Sequence, residues 1–197
     1  MTKTLEELVE ISGSAWYNIL RNVIEVPNRE AFGDLIGKKY RNRFIITNAY
    51  PFQTSRTTLN SAGHGNDSAR ERLRDMDKII RNVGSRFYIM GQYHSHIYTS
   101  NDKRVSGPSK DDKNFFLNEM DFLGLEESIQ IIAHVKRNQN NSRIIGESMT
   151  EYPKMLRVIF RDDHSSYDIF LGAYKLSESK LEKLKIMRRR VKVTKRN

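Results

Sequence analysis

Two histidines, His94 and His96, stand two residues apart in a chain that has five in all. On a strand, residues two apart point to one face, so both imidazoles can meet a single cation. The same spacing also fits a pair of partly exposed histidines at a strand end. Downstream, Ser109-Lys110-Asp111-Asp112 has the Ser-x-x-Asp spacing of a helix cap. Capping alone accounts for it, yet the cap would also fix Asp112 in a first helical turn, with its carboxylate facing the histidines. Two neutral imidazoles and one carboxylate suit Zn²⁺ and leave a fourth tetrahedral position for water. Other divalent ions fit the same donors. Upstream, Glu30 opens the stretch Glu30-Ala31-Phe32-Gly33-Asp34-Leu35-Ile36-Gly37. A buried carboxylate there needs a partner; a surface glutamate after Pro27-Asn28 does not.

The elements that must position these residues follow from periodicity. Residues 5 to 11 fit a short strand or a helical turn. Trp16, Ile19, Leu20 and Val23 make one apolar helix face that ends before Pro27. Glu30 to Tyr40 and Arg43 to Pro51 read as strands, and residues 54 to 66 as a loop. Asp67 caps a helix with apolar positions Ala69, Leu73, Met76, Ile80 and Val83, stopped by Gly84. Arg86 to His96 reads as a strand that delivers the two histidines at its end. A polar loop from Ile97 to Pro108 precedes a helix over Lys110 to Leu123, which buries Phe115, Phe116 and Met120. Strands follow at Ser128 to Val135, Leu156 to Arg161 and Tyr167 to Gly172, with turns at Asn138 to Asn141 and Asp162 to Ser166. Ser179 and Glu182 are spaced to cap a last helix. Mixed strands and helices predict an α/β sheet with helices packed on it.

Composition limits the classes. No cysteine is present, which excludes disulfides, thiolate metal sites and a cysteine nucleophile. No apolar run approaches the roughly 20 residues of a membrane-crossing helix. Residues 1 to 13 lack the basic-then-apolar layout of a secretory signal, so a cytoplasmic location is the expectation. Of the formal charge of +10, residues 175 to 197 carry +8, and the rest of the chain is near neutral. Such a tail suits nucleic acid, an acidic partner or a membrane surface, and equally a solvated terminal helix. Residues 1–174 are expected to form one domain and 175–197 a basic C-terminal helix or tail.

Taken together, Glu-x-x-Gly-x-Leu-x-Gly, His-Ser-His and Pro-Ser-x-x-Asp resemble the JAMM, or MPN+, zinc metalloprotease family. Flanking pieces agree: Pro27-Asn28, Asn48-Ala49-Tyr50-Pro51 and Gly91-Gln92-Tyr93. The resemblance implies a single MPN-like, cytidine-deaminase-like α/β domain, with a mixed sheet flanked by helices and a C-terminal helix. It implies one Zn²⁺ per chain on His94, His96 and Asp112. Glu30 becomes the general base, moving a proton from the zinc-bound water to the leaving amine. Ser109 becomes the donor to the developing oxyanion. The implied activity is isopeptide or peptide hydrolysis at the C-terminus of ubiquitin-like or small sulfur-carrier-like modifiers, away from membranes. Alternatives are a catalytically silent scaffold subunit and a peptidase for other substrates.

Two departures accompany the resemblance. Ile97 stands where the family usually has proline, and twelve residues separate His96 from Ser109 where seven are usual. Lengthening a loop costs only about 0.6 kcal/mol per doubling, so the departures bear on the substrate more than on the metal. A zinc deaminase would need cysteine ligands and His-x-Glu, and neither occurs. His64 reads as a loop histidine, His134 as a satisfied core or edge histidine, and His164 as a turn histidine.

Overall fold

The computed structural model describes residues 6–26, 29–52, 56–57, 62–63, 67–83, 86–98, 107–138, 146–152, 154–161, 166–178 and 180–188. The chain begins with β1 (Leu8–Ile11), α1 (Gly13–Glu25), β2 (Phe32–Tyr40) and β3 (Arg43–Pro51). Then come β4 (Arg56–Thr57), β5 (Ala62–Gly63), α2 (Asp67–Asn82), β6 (Tyr88–Tyr98) and α3 (Lys110–Leu123). The remainder is strand: β7 (Glu127–Asn138), β8 (Gly146–Tyr152), β9 (Met155–Arg161), β10 (Ser166–Ser177) and β11 (Lys180–Arg188).

Seven strands close on themselves in the order β11-β1-β3-β2-β6-β7-β10, because β10 also pairs with β11. The pairs β1–β11, β1–β3 and β6–β7 are parallel and the others in the ring antiparallel, so this is a mixed barrel. β9 and β8 continue the sheet beyond β10. The expected helix-flanked α/β sheet of MPN type is therefore wrong, and so is its C-terminal helix. The physical reason lies in residues 180–188. Leu181 and Leu184 mimic helical spacing, but the barrel uses the alternation of Leu184 and Ile186, both buried. Pairing with β1 in parallel (Val9↔Ile186) and with β10 in antiparallel (Ala173↔Leu184) satisfies two strand edges at once. That gain overrides a local capping pattern. The boundary drawn at residue 174 falls inside β10, and residues 189–197 lie outside the described residues.

Inside the barrel, alternate residues along the middle of β7 and β10 are apolar and buried: Ile129, Ile131, Ala133 and Val135 against Ile169, Leu171 and Ala173. Helix α1 adds Ala15, Trp16, Ile19 and Val23 to the same core. Burying each such large side chain is worth about 1.5–3 kcal/mol. Ser12 caps α1, accepting from the Ala15 N–H at 3.2 Å. The Gly-x-Leu-x-Gly stretch has a steric cause. A Cβ on Gly33 would sit 2.2 Å from the Tyr50 carbonyl oxygen and 2.5 Å from the Tyr93 ring, and one on Gly37 2.1 Å from the Ile45 oxygen. Leu35 between them fills the core.

Other expectations need adjustment. α2 buries Leu73 and packs Ile80 against Ile36 and Ile89, but leaves Met76 and Val83 38% and 76% exposed. The inward position is taken by Asp77, which accepts from the Ile89 N–H at 2.8 Å and pairs with Arg81. Ile97 and Tyr98 extend β6 instead of starting a loop. Within the loop expected over 54–66, β4 and β5 pair with each other. His64, Gly84, residues 99–106, the turns at 139–141 and 162–165, His164 and Ser179 lie outside the described residues. Among the described residues no helix is long and apolar enough to cross a membrane.

Candidate metal centre

β6 leaves the barrel wall with alternating duties. Tyr93 points into the core, where its hydroxyl accepts from the Asn22 side-chain amide at 2.8 Å. Gln92, His94 and His96 point to the other face, beneath α3. Phe116 of α3 packs its ring 5.4 Å from that of His94. A capping box starts α3: Ser109 Oγ accepts from the Asp112 N–H at 3.0 Å, and the Ser109 N–H donates to Asp112 Oδ2 at 2.6 Å. The box orients the carboxylate while Phe116 and Met120 anchor the helix.

His94, His96 and Asp112 converge. The two Nε2 atoms are 2.9 Å apart; His94 Nε2 is 3.2 Å from Asp112 Oδ1, and His96 Nε2 is 3.3 Å from Oδ2. Donors about 2.0–2.1 Å from a tetrahedral zinc lie about 3.3 Å from one another. Each separation is near such an edge, the two imidazoles meeting different oxygens of Asp112, and one ligand atom from each residue lies within 4.8 Å of the others, so this group could hold a metal ion. Its electrostatics agree. Burial pushes the His94 imidazolium toward its neutral form against the pull of Asp112. For Asp112, burial favours protonation, but hydrogen bonds from His94 and His96, the charge on His94 and the bond from Ser109 outweigh it. Its carboxyl is held well below the usual carboxylate range. A neutral imidazole and a carboxylate are the forms a cation binds.

Glu30 is 7% exposed and placed beside this group by a residue that composition gave no reason to single out. Ser95, the middle of His-Ser-His, faces opposite to the histidines. Its Oγ accepts from the Ala31 N–H at 2.8 Å, and its own N–H donates to the Ala31 oxygen at 2.9 Å. Two bonds thus tie the residue after Glu30 to the residue between the two histidines. Burial pushes the Glu30 carboxyl up to about 7; His96 opposes that rise and the Asp112 charge adds to it. A carboxyl that changes protonation near neutrality beside a cation site has the form of a proton carrier. The Ser109 hydroxyl accepts from Asp112 and keeps its own proton to donate.

A third imidazole adjoins the group. His134 of β7 pairs in register with His96, and their rings meet edge to face at 5.4 Å. It is 1% exposed, bonded through Nδ1 to the Tyr98 hydroxyl at 2.8 Å, with Nε2 buried and without a partner. His134 is buried, but it is not the satisfied histidine expected, since only one of its two ring nitrogens has a partner among the described residues. Behind the histidines, Glu119 of α3 receives Gln92 at 3.4 Å and pairs with Arg70 of α2 at 2.9 Å, which links both helices to β6. Alternation along β6 gives the facing of Ser95 but not its bonds to Ala31, and nothing local marks Glu119 or Arg70.

No family model matches this sequence, and no curated protein is similar to it. Among solved structures, the chain is similar to the solution structure of protein DSY2949 from Desulfitobacterium hafniense, a structural genomics target. The two share 13% identity with a TM-score of 0.54, over 93% of this chain and 94% of that one. At that identity the likeness concerns the fold alone.

Proposed function

We propose that the chain is a zinc-dependent peptidase of JAMM type that hydrolyses peptide or isopeptide bonds at the C-terminus of ubiquitin-like or small sulfur-carrier-like modifiers. The observation that carries this reading is the convergence of His94, His96 and Asp112 with a buried Glu30 tethered next to them through Ser95. Bound zinc would acidify water and polarise the scissile carbonyl. Glu30, as carboxylate, accepts a proton from the attacking water as its oxygen bonds to the carbonyl carbon. The Ser109 hydroxyl donates to the carbonyl oxygen as charge develops there, a contribution of about 3 kcal/mol in comparable sites. Glu30 then passes its proton to the departing nitrogen as the C–N bond breaks, giving a carboxylate and an amine. The modifier class rests on the resemblance, and the barrel itself does not choose a substrate.

The test is a cleavage panel of the host's ubiquitin-like proteins, each joined through its C-terminus to a lysine or an extension. Zinc-loaded chain should cleave at least one member, and a chelator should stop it. Glu30→Gln should keep one zinc per chain and lose about 10²–10⁴-fold in turnover. A zinc-loaded chain that cleaves no member, or a Glu30→Gln variant that cleaves normally, would sink the reading.

A further inference from the structure

The two imidazoles of the metal group have different neighbours. His94 lies against the Phe116 ring at 5.4 Å, and α3 carries that ring together with Asp112. His96 instead meets the ring of His134 edge to face at 5.4 Å, and His134 meets the ring of Tyr98 at 5.4 Å in turn. Strand geometry dictates this row of three rings. Tyr98 follows His96 by two residues on β6 and so shares its face, while β7 sets His134 opposite His96 in register.

Hydrogen bonding gives the row a direction. His96 brings Nε2 to His94 and Asp112, at 2.9 and 3.3 Å, so a neutral His96 that ligates through Nε2 carries its proton on Nδ1. Groups packed beside a ligating imidazole fix its ring orientation and tautomer and raise its basicity. His134 is such a group. It is 1% exposed, and burial, with charge on His96 and His94, keeps it neutral. Its Nδ1 is engaged with the Tyr98 hydroxyl at 2.8 Å, and among the described residues its buried Nε2 has no hydrogen-bond partner. Two tautomers fit that bond. If the hydroxyl donates, Nε2 carries a hydrogen, a positive edge beside the ligand. If Nδ1–H donates to the hydroxyl oxygen, Nε2 keeps a bare lone pair. A buried lone pair without a partner costs free energy, and positive charge on the adjoining imidazole offsets that cost. Only the second tautomer favours a cation on His96.

Resting on the zinc site of the peptidase reading and on none of its substrate chemistry, we propose that His134, set in its Nδ1–H tautomer by Tyr98, is a positioning residue that orients His96 and tightens metal binding. Zinc affinity of the full chain, read by competition with a chromophoric chelator, tests this beside NMR of the histidine ring nitrogens. In the zinc-loaded wild type, Nε2 of His134 should give the signal of an unprotonated ring nitrogen. His134→Phe keeps a ring against His96 without either nitrogen, and should lower zinc affinity about 10–100-fold. His134→Gln, whose amide oxygen can take the place of Nε2, should recover part of that loss. Tyr98→Phe, which frees the tautomer, should show a smaller loss than His134→Phe. A protonated Nε2, unchanged affinity in His134→Phe, or equal losses in the Phe and Gln variants would each overturn the proposal. Should His134→Phe fail to fold, the wild-type tautomer and the affinity of Tyr98→Phe carry the same decision, and unchanged affinity there overturns it. A chain that binds zinc in this way and cleaves nothing defeats the peptidase reading and leaves the role of His134 standing. Zinc-dependent cleavage with variants indifferent in affinity defeats the role of His134 alone.

Discussion

β6 and β7 carry opposite chemistries on their two faces. Inward, Tyr93, Ile131, Ala133 and Val135 belong to one apolar core. Outward, Gln92, His94, His96, Gln130 and His134 make a polar row at the edge of α3, and all but His96 are buried. A strand that slipped by one residue would exchange the faces, and the inner face resists that slip because its side chains are close-packed. The register His94↔Ile132 and His96↔His134 is thus held from inside the barrel, while the chemistry sits outside it. Fold stability and metal binding should then respond separately to substitutions only two or three residues apart.

The largest expected effect breaks the outer face alone. His94→Ala removes one of three donors, and metal content should fall from about one ion per chain to near none after dialysis. The barrel should persist, since the lost imidazole belongs to none of its core contacts. Elemental analysis beside a circular dichroism spectrum reads both. A variant that still held stoichiometric zinc would mean that the metal sits elsewhere; one that lost its strand signal would mean that the two faces are not separable.

The converse substitution is Ile131→Ala, one strand over and facing inward at 0% exposure. Truncating a core isoleucine costs about 2–5 kcal/mol through lost transfer free energy and the cavity left behind. Denaturation should show that loss while the folded fraction still binds one metal per chain. Loss of metal at full foldedness would contradict the idea that the inner face merely holds register.

This separation also explains what was legible in the sequence. Alternation and capping are local, so most central strands, α1 and α3 could be read directly, as could His94, His96 and Asp112. Closure of the barrel was not legible, because it depends on β11 meeting β1 across the whole chain. There, the Ser179-x-x-Glu182 pattern argued for a helix. The role of Ser95 was hidden for a related reason: its bonds run to Ala31, sixty-four residues away in sequence. The apolar spacing of α2 overstated its burial, since Asp77 occupies the inward stripe. Glu30 could be placed near the ligands only by resemblance. The geometry that puts it there is a strand pairing, Phe32↔His94, that no local pattern announces.

The smallest effect sharpens the boundary between the faces, at His134. Burial pushes its imidazolium down to about 3, with the charges of His96, His94 and Lys183 adding to the fall and Asp112 opposing it. In the unfolded chain the same ring titrates near 6.5. Below that pH the unfolded state binds the extra proton and the folded state does not, so stability falls as pH drops from 6.5 toward 3. One group contributes a slope of at most about 1.4 kcal/mol per pH unit. His134→Gln keeps a neutral polar side chain opposite Tyr98 and removes the titration. With chelator present, urea midpoints of the wild type and the variant at pH 6.5 and 5.0 should diverge, with the wild type losing more. Every other titrating group is common to both proteins and cancels in the difference. Parallel losses would mean that His134 is hydrated in the folded chain, so that water reaches behind His96 and the polar row is not sealed from solvent.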